Sequence, residues 1–435
     1  MLGTIVLFAL AGSAAATAAI PHSDATIELT RRDPGLTNLD GSANITSLLA
    51  EASRLAHKYE RNRLNWDTYS AMNEKGPTAK KMKKRGTAAL TEQSHAVWTG
   101  KVNVGTPAQT FDVYFDTGSS DFTLSSPSCT ANCNGKAHYA PADSSTSVRT
   151  GQTVSTNFVD GTTSRGAVFK DTVTLAGTTV TGQDVVAASS LSSTVGELES
   201  DGMGLAYPSL SAAGSTSFGL TMVQQKQYAL YPYFSMMLSY GGRSEITFGG
   251  FNRARVLSGS SSYWFNATPD PNGVRTYWQM GLSVPYVGNT RAGGYTTHIL
   301  DSGTTLIVTS PAQAAEFWAA VPGSAKYDDN FWSFPCASPP DVKFSFSRNT
   351  VFKYGVDQDA FNLGYLSSAP DRCIGAVIGQ DLGIGTSWIL GDAFPDETYP
   401  ARQTLVDPIV VNWYVIHDAL KNRIMLAQLR PGANS

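Results

Sequence analysis

The chain has 435 residues, of which 42% are hydrophobic, and its 32 Lys and Arg against 35 Asp and Glu give a formal net charge of −3. This length exceeds the roughly 250–300 residues at which a single hydrophobic core stops growing, so we expect two domains. No apolar segment approaches the roughly 20 residues that a membrane-spanning helix requires, so we expect no membrane partner.

The N-terminus has the pattern of a signal peptide. An apolar stretch from Thr4 to Gly12 is followed by a run of small residues over 13–19, although no basic residue precedes them. We expect cleavage near Ala19, which makes residues 1–19 a signal peptide and the protein secreted and extracellular. Delivery to a vacuole is the alternative, because a signal peptide specifies only entry into the secretory pathway.

The next segment, residues 20–85, is basic. It contains 12 Lys and Arg against 8 Asp and Glu and ends in the run Lys80 to Arg85. Removing it leaves 20 basic and 27 acidic side chains, so segment and body are electrostatically complementary. We interpret it as a prosegment that is cleaved before Gly86. The alternative is a solvated or nucleic-acid-binding tail, but a secreted chain meets little nucleic acid, and we expect none as a partner.

Two short segments repeat one design 185 positions apart. Apolar runs over 111–115 and 296–300 enter the triplets at residues 116–118 and 301–303, and β-favouring runs over 122–124 and 306–309 leave them. A single Asp-(Ser/Thr)-Gly triplet is typical of an ordinary turn. The matching flanks instead predict two hairpins with an Asp at each bend, in duplicated lobes that face each other.

The body is predicted to be mainly β. Residues 171–180 and similar stretches alternate with a period near two, and turn residues recur at short spacing. One helix is predicted after the second triplet, where Ser310 is a suitable N-cap, Pro311 a first-turn residue and Gln313 a capping-box partner. We expect this helix to pack behind the second Asp loop.

Four cysteines in a secreted chain predict two disulfides. Among the three possible connectivities, the spacing favours Cys129 with Cys133 and Cys336 with Cys373. The sequons at Asn44 and Asn266 are glycosylation candidates, and the first is lost if the prosegment is removed. The sequence contains no metal-ligand pattern, so we expect no metal.

Further motifs accompany the two triplets across residues 90–435. They are Val102-Asn103-Val104-Gly105-Thr106-Pro107, Asp201-Gly202-Met203-Gly204-Leu205-Ala206-Tyr207-Pro208, Ile246-Thr247-Phe248-Gly249-Gly250, Tyr277-Trp278-Gln279 and Trp388-Ile389-Leu390-Gly391-Asp392. With these motifs the chain resembles the pepsin-family aspartic endopeptidases, especially the secreted fungal members. The resemblance implies a mainly β, bilobal fold with a cleft between an N-terminal lobe (86–252) and a C-terminal lobe (253–435).

The chemistry follows from two adjacent carboxylates, those of Asp116 and Asp301. At about 3 Å and an effective dielectric near 20 they repel by roughly 5 kcal/mol, or about 4 pKa units, so one is charged while the other is protonated. The charged carboxyl activates a water that attacks the peptide carbonyl, and the protonated one donates to the oxyanion and then to the leaving nitrogen. This mechanism needs neither a covalent intermediate nor a cofactor, and the resemblance implies an acidic pH optimum.

The resemblance assigns supporting roles to the residues after each Asp. Gly118 and Gly303 let the backbone approach the carboxylates and donate N–H groups to them. Their neighbours supply hydroxyls that reach the opposite loop, from Thr117 and Ser302, or that bind the outer carboxylate oxygens, from Ser119 and Thr304. For all of these residues, the alternative is ordinary turn chemistry.

The flap that closes over bound peptide is expected within residues 158–166. Its substrate-binding positions are Phe158, Asp160, Gly161 and Thr162. Phe158 falls where the family usually has a Tyr, and Thr123 falls where a Trp usually bonds that Tyr. Losing both partners avoids an orphaned polar group, so we expect a looser, more apolar flap tip with lowered but retained activity.

Two further departures from the family pattern bear on the fold. The segment 201–204 is expected to be one residue shorter than the family's apolar pair plus Gly, which would weaken the support of Asp116. Residues 395–410 hold three prolines and interrupt a region where the family runs straight through. We interpret them as retained non-coding sequence, and the alternative is a loop that bulges out of the fold.

Other mechanisms find little support in the sequence. None of the six histidines lies near a Ser or Cys in a nucleophile motif, and a glycosidase would not explain the duplicated bends. The serious alternative is a pepsin-like binding or decoy protein without catalysis, which pepstatin-sensitive cleavage would exclude. We expect a monomer that acts on proteins and peptides, binds pepstatin-type inhibitors and is inhibited by its own prosegment.

Overall fold

The computed structural model describes residues 26–32, 35–72, 97–157, 163–192, 201–228, 230–238, 244–257, 263–347, 353–356, 358–385, 387–391 and 413–430. Four predictions lie outside these residues: the signal peptide (1–19), the basic run (80–85), the flap positions Phe158 to Thr162 and the insertion (395–410). None of the helices in the described part is long and apolar enough to cross a membrane.

The described part is mainly β, as predicted, and contains one long and three short α-helices. The strands are β1 (Thr26–Arg32), β2 (Val97–Val104), β3 (Gln109–Asp116), β4 (Phe122–Ser125), β5 (Val148–Asn157), β6 (Thr163–Leu175), β7 (Thr178–Ser190), β8 (Asp201–Gly204), β9 (Tyr233–Met237), β10 (Ser244–Phe248), β11 (Tyr263–Asn266), β12 (Gln279–Val287), β13 (Thr290–Arg291), β14 (Thr296–Leu300), β15 (Ile307–Thr309), β16 (Ala325–Lys326), β17 (Trp332–Pro335), β18 (Val342–Ser345), β19 (Tyr354–Gly355), β20 (Asn362–Leu366), β21 (Ala369–Gly375), β22 (Val377–Gly379), β23 (Trp388–Leu390), β24 (Trp413–Asp418) and β25 (Arg423–Gln428). The helices are α1 (Ile45–Met72), α2 (Phe218–Gln224), α3 (Pro311–Ala319) and α4 (Gln358–Phe361).

Three sheets organise the described strands. The largest runs in the order β11-β25-β24-β9-β10-β1-β2-β3-β8-β4-β7-β6-β5, the second in the order β19-β18-β12-β14-β23-β15-β22 with β13 beside β12, and the third in the order β16-β17-β21-β20. In the largest sheet, β9 pairs with β24 from the other end of the chain, with Met237 opposite Tyr414. A shared sheet therefore joins the two predicted lobes.

The two Asp triplets connect strands in the same way in both halves. After the first triplet, β4 does not pair with β3; instead β8 lies between them, parallel to β3 and antiparallel to β4. After the second, β23 lies between β14 and β15 in the same orientations. The prediction of hairpins is therefore wrong in its pairing, because the middle strand comes from a distant part of the chain that local sequence does not reveal.

The segment 201–204 occupies its place in the sheet without a gap. Met203 lies opposite Phe115 and Gly204 opposite Asp116, just as Leu390 lies opposite Leu300 in the other half. The N–H of Leu205 also donates to the backbone carbonyl of Asp116, at 2.8 Å. The backbone behind the first Asp loop is therefore supported as fully as that behind the second.

Helix α3 forms where the sequence predicts it. The Ser310 side chain accepts a hydrogen bond from the Gln313 N–H, and Pro311 occupies the first turn. The helix buries Phe317 and Trp318, and the indole N–H of Trp318 donates to the Val377 carbonyl at 3.0 Å. Because Val377 begins β22, which pairs with β15, the helix lies behind the second Asp loop.

The predicted disulfides are both present. Cys129 is bonded to Cys133, and Cys336 is bonded to Cys373. The second bond ties β21 to the residue directly after β17, its neighbour in the small sheet.

Candidate active site

The two triplets meet at the centre of the molecule, where their aspartates are buried. Asp116 ends β3 and is 2% exposed, and Asp301 directly follows β14 and is fully buried. Apolar strands deliver each carboxyl group to the meeting point, since Phe115 and Leu300, the residues before them, are themselves buried. The structure therefore brings together two carboxylates that are 185 residues apart in the chain.

Four hydrogen bonds cross between the two loops. The Thr117 hydroxyl donates to the Leu300 carbonyl at 3.0 Å and accepts from the Ser302 N–H at 3.0 Å. Symmetrically, the Ser302 hydroxyl donates to the Phe115 carbonyl at 2.9 Å and accepts from the Thr117 N–H at 3.1 Å. This reciprocal exchange fixes the separation of the loops, because moving either one breaks bonds on both.

Each carboxylate is also held within its own loop. Asp116 accepts hydrogen bonds from the Gly118 N–H at 2.8 Å and from the Ser119 hydroxyl at 2.5 Å. Asp301 accepts the equivalent bonds from the Gly303 N–H at 3.0 Å and from the Thr304 hydroxyl at 2.6 Å. These donors orient the carboxyl groups and favour the ionised form.

The two glycines are required by the opposite carboxylate. A Cβ on Gly118 would collide with the carboxyl group of Asp301, and a Cβ on Gly303 would collide with that of Asp116. The sequence predicts close approach of the backbone to a carboxylate. The structure shows that the closest carboxylate to each glycine is the one in the opposite Asp loop.

Helix α1 of the N-terminal segment lies directly on the dyad. Its Lys58 ammonium is 2.7 Å from an oxygen of Asp116 and 2.7 and 2.8 Å from the two oxygens of Asp301. The Tyr59 hydroxyl donates to Asp301 at 2.8 Å, and the Asn62 amide donates to the Gly118 carbonyl at 2.7 Å. The helix therefore occupies the place where a substrate would have to approach the carboxylates.

Sequence reasoning assigns an inhibitory role to the whole segment but does not identify these residues. Lys58 is one of 12 basic residues there, and nothing in its immediate neighbours separates it from a solvated lysine. The available signal is the helical spacing, because Arg54, Lys58 and Asn62 recur every four residues and so share one face. The Arg54 guanidinium on this face donates to the Gly303 carbonyl at 3.0 Å.

The rest of the segment is anchored at several points. β1 pairs with β10 and β2, and so adds a strand to the shared sheet. The loop before α1 exchanges backbone hydrogen bonds with β20, from Ala43 to Tyr365 and from Tyr365 to Gly41. Asn44, one of the two glycosylation candidates, accepts from the Ser47 N–H at the start of the helix. The other candidate, Asn266, is exposed at the end of β11.

The two carboxyl groups differ in their acidity. Burial opposes ionisation of Asp116, but the Lys58 charge and the hydrogen bonds from Lys58 and Ser119 outweigh it and hold the Asp116 pKa well below its usual range. Burial dominates for Asp301, and together with the charge of Asp116 it raises the Asp301 pKa despite Lys58. The arrangement thus favours an ionised Asp116 beside a protonated Asp301.

The comparisons with known proteins agree with this geometry. The family model described as eukaryotic aspartyl protease matches residues 97–429. An aspartic protease of Phaffia rhodozyma is 34% identical over 325 residues, covering 72% of this chain and 76% of the relative. Endothiapepsin of Cryphonectria parasitica is 32% identical over 67% of this chain and 68% of its own, and rhizopuspepsin of Rhizopus chinensis is 28% identical over 79% and 83%. With its two reciprocally bonded Asp loops, the chain therefore belongs to the pepsin-family aspartic endopeptidases.

Proposed function

We propose that this chain is the zymogen of a secreted aspartic endopeptidase that hydrolyses proteins and peptides at acidic pH. Asp116 and Asp301 are its catalytic pair, and residues 20–85 are an intramolecular inhibitor removed on activation. The observation that carries this proposal is the Lys58 ammonium, which contacts both carboxylates at 2.7 Å.

The position of Lys58 supports a zymogen because it neutralises the charge that catalysis needs. A water held between the two carboxyl groups must give a proton to one carboxyl group and be polarised by the other. In the structure an ammonium group takes that place, and its side chain is only 5% exposed. While α1 is bound, neither a water nor a peptide carbonyl can occupy the position between the two Asp residues.

Once α1 has left, the loops present the chemistry of general acid and base catalysis. Asp116 accepts a proton from the water, whose oxygen attacks the peptide carbonyl. Asp301 donates its proton to the developing oxyanion. As the C–N bond breaks, the proton that Asp116 gained passes to the leaving nitrogen, and a hydroxyl of the tetrahedral intermediate returns a proton to Asp301. The hydroxyls and N–H groups around the loops hold both carboxyl groups through this cycle without moving.

Acid should release the helix. With Lys58 bound, the Asp116 pKa lies below its ordinary value of 3.8, so the ion pair stabilises the closed form fully above that pH. The stabilisation is lost as the pH falls through the depressed pKa, because protonation of Asp116 removes the partner of Lys58. The basic segment and the acidic body separate under the same conditions, as other carboxylates are protonated.

The test is cleavage of a denatured protein by the full chain after a stepwise shift from neutral pH to about pH 2, with and without pepstatin. We expect inhibitable cleavage that is absent from Asp301→Ala, together with loss of residues 20–85. Secretion predicts that protein recovered from the medium begins after Ala19 before acidification. A folded, acid-treated chain without pepstatin-sensitive cleavage would contradict the proposed function and favour a binding protein.

A further inference from the structure

A row of three residues beside the catalytic pair differs between the two halves of the molecule. Tyr114, Gly202 and Thr123 lie opposite one another on β3, β8 and β4 and line one cavity beside the first Asp loop. The equivalent row in the other half is Ile299, Ile389 and Val308, three β-branched apolar side chains. The first row is therefore polar where the second is apolar.

Gly202 is small because the Tyr114 ring covers it. A Cβ on Gly202 would lie 2.5 Å from both the Cζ atom and the hydroxyl oxygen of Tyr114. The tyrosine hydroxyl thus lies over β8 at the floor of the cavity, in space that a side chain at position 202 would fill. Thr123 adds a short polar side chain to the same floor.

The Tyr114 hydroxyl is a buried polar group available to a ligand. The residue is only 8% exposed, and its hydroxyl oxygen lies against Gly202 in the lining of the cavity. A buried hydroxyl favours a ligand that supplies a hydrogen-bond partner, because a polar group left unpaired away from water is unfavourable. Ser119, whose hydroxyl donates to Asp116, also lines this cavity, so the cavity lies next to the Asp116 carboxylate.

The cavity lining carries charges of both signs. Asp121 and Asp201 both line it, in addition to the nearby Asp116. Asp201 is 3.8 Å from the Lys136 ammonium, whereas Asp121 is held by the Ser211 hydroxyl and two N–H groups and has no ion pair within the described part of the chain. The positive groups on the wall are the exposed Arg165 and, from α1, Arg61.

The chain itself places an arginine at this cavity. Arg61 follows Lys58 by three residues, so it lies about one turn further along α1 on the same side. It lines the cavity, of which about 50 Å³ remains open. Burial raises the pKa of Tyr114, and the positive charge of Arg61 opposes this rise, which shows that the two groups interact.

We propose that this cavity is a specificity pocket for a long cationic side chain, so that the activated enzyme prefers peptides with Arg or Lys in the residue that enters it beside the scissile bond. Tyr114 accepts a hydrogen bond from the bound cation, and the carboxylate of Asp121 supplies attraction. In the closed form Arg61 occupies the place of that side chain. This inference rests on the proposed function for its substrate but concerns a pocket whose binding can be measured separately.

The first test uses acid-activated protein and peptides that differ only at one residue flanking the cleaved bond, with Arg, Lys or Leu there. We expect kcat/KM to be about 10-fold higher for Arg and Lys than for Leu, and Tyr114→Phe to lower that ratio about 10-fold, as loss of a hydrogen bond to a charged group implies. Tyr277→Phe, the same change at a residue that lines a separate cavity, should leave the ratio unaltered. A preference for Leu that is the same in Tyr114→Phe would overturn the proposal.

The second test needs no catalysis. The full chain at neutral pH carries Arg61→Met, Tyr114→Phe or both, and the midpoint of thermal unfolding is measured. We expect the double variant to lose less than the sum of the single losses, by roughly 1 °C or more, because the two side chains interact. Arg63→Met, at an exposed residue paired with Asp67, is the matched control and should be additive with Tyr114→Phe.

The two tests separate the possible failures. If no peptide is cleaved but Arg61 and Tyr114 are coupled, the proposed function fails and the cationic pocket stands. If peptides are cleaved and the Arg61 and Tyr114 losses are simply additive, the pocket does not bind a cation through Tyr114, and this inference is overturned while the proposed function stands.

Discussion

The two halves of the molecule carry nearly identical Asp loops on different surroundings. Each loop has the same in-loop donors, the same reciprocal cross-loop bonds and the same middle strand behind it. At equivalent positions of the strands behind the loops, however, Val113 corresponds to His298 and Asp201 corresponds to Trp388. Duplication has kept the residues that position the carboxyl groups and has varied those that shape the pockets and the cores.

The largest expected effects come from the catalytic pair itself. Asp116→Asn and Asp301→Asn should each lower kcat by about 10²–10⁴-fold or more, since each removes a group that transfers a proton. They should differ in the zymogen, because Asp116 is the ionised partner of Lys58. We expect Asp116→Asn to release α1 at a higher pH than Asp301→Asn does, measured by protease sensitivity of the full chain. Release of α1 at the same pH in both variants would contradict the assignment of the negative charge to Asp116.

The glycines test whether the loops are mechanically equivalent. Gly118→Ala and Gly303→Ala should each lower kcat about 100-fold, because the new Cβ displaces the opposite carboxyl group and a shift of about 1 Å is sufficient for such a loss. Gly294→Ala is the matched control, since nothing lies within 4 Å of its added Cβ. Peptide hydrolysis after activation is the measurement. A loss in only one loop would show that the pair depends on the two glycines unequally.

Lys58 tests how the closed form holds the pair. Lys58→Met keeps the length of the side chain but leaves Asp116 buried without its cation, which is strongly unfavourable. We expect the full chain to release α1, and to gain pepstatin-sensitive activity, at a higher pH than the wild type. The control is Lys101→Met, which removes an exposed ion pair with Asp112. An unchanged activation pH in Lys58→Met would mean that the backbone anchors of the segment, and not this ion pair, determine its release.

Much of this architecture could be predicted from the sequence, and the exceptions share a cause. The Asp loops, α3 and both disulfides follow from patterns that are short in sequence. The position of β8 between β3 and β4 depends on pairing across about 80 residues, which no local pattern encodes. The role of Lys58 cannot be predicted from the sequence for the same reason, because it depends on two carboxylates that are 58 and 243 positions away in the chain.

The segment 201–204 shows a further limit. The sequence predicts that this segment is one residue short, whereas the structure shows that it pairs with β3 without a gap and that the Tyr114 ring covers Gly202. The compensation lies on a neighbouring strand, and so it is visible only once the register is known.

His298 tests the difference between the two cores. Its ring is fully buried among Phe344, Phe346 and Trp388, and neither nitrogen has a hydrogen-bond partner within the described residues. Burial lowers the His298 pKa from 6.5 to about 3. The unfolded chain therefore binds a proton below about pH 6.5 that the folded chain does not bind until about pH 3, so stability falls with pH across this window.

A shift of this size corresponds to about 5 kcal/mol of lost stability when the window has been crossed. His298→Leu should remove this loss: the urea midpoint should change little at pH 7 but rise relative to the wild type at pH 4. The exposed His138→Gln is the control, because a histidine that remains in water imposes no such cost. Equal pH dependence of the wild type and His298→Leu would show that the second core tolerates a charged histidine. The expected result would mean that burial of His298 contributes to the loss of stability in acid, beside His417, whose pKa burial also lowers to about 3.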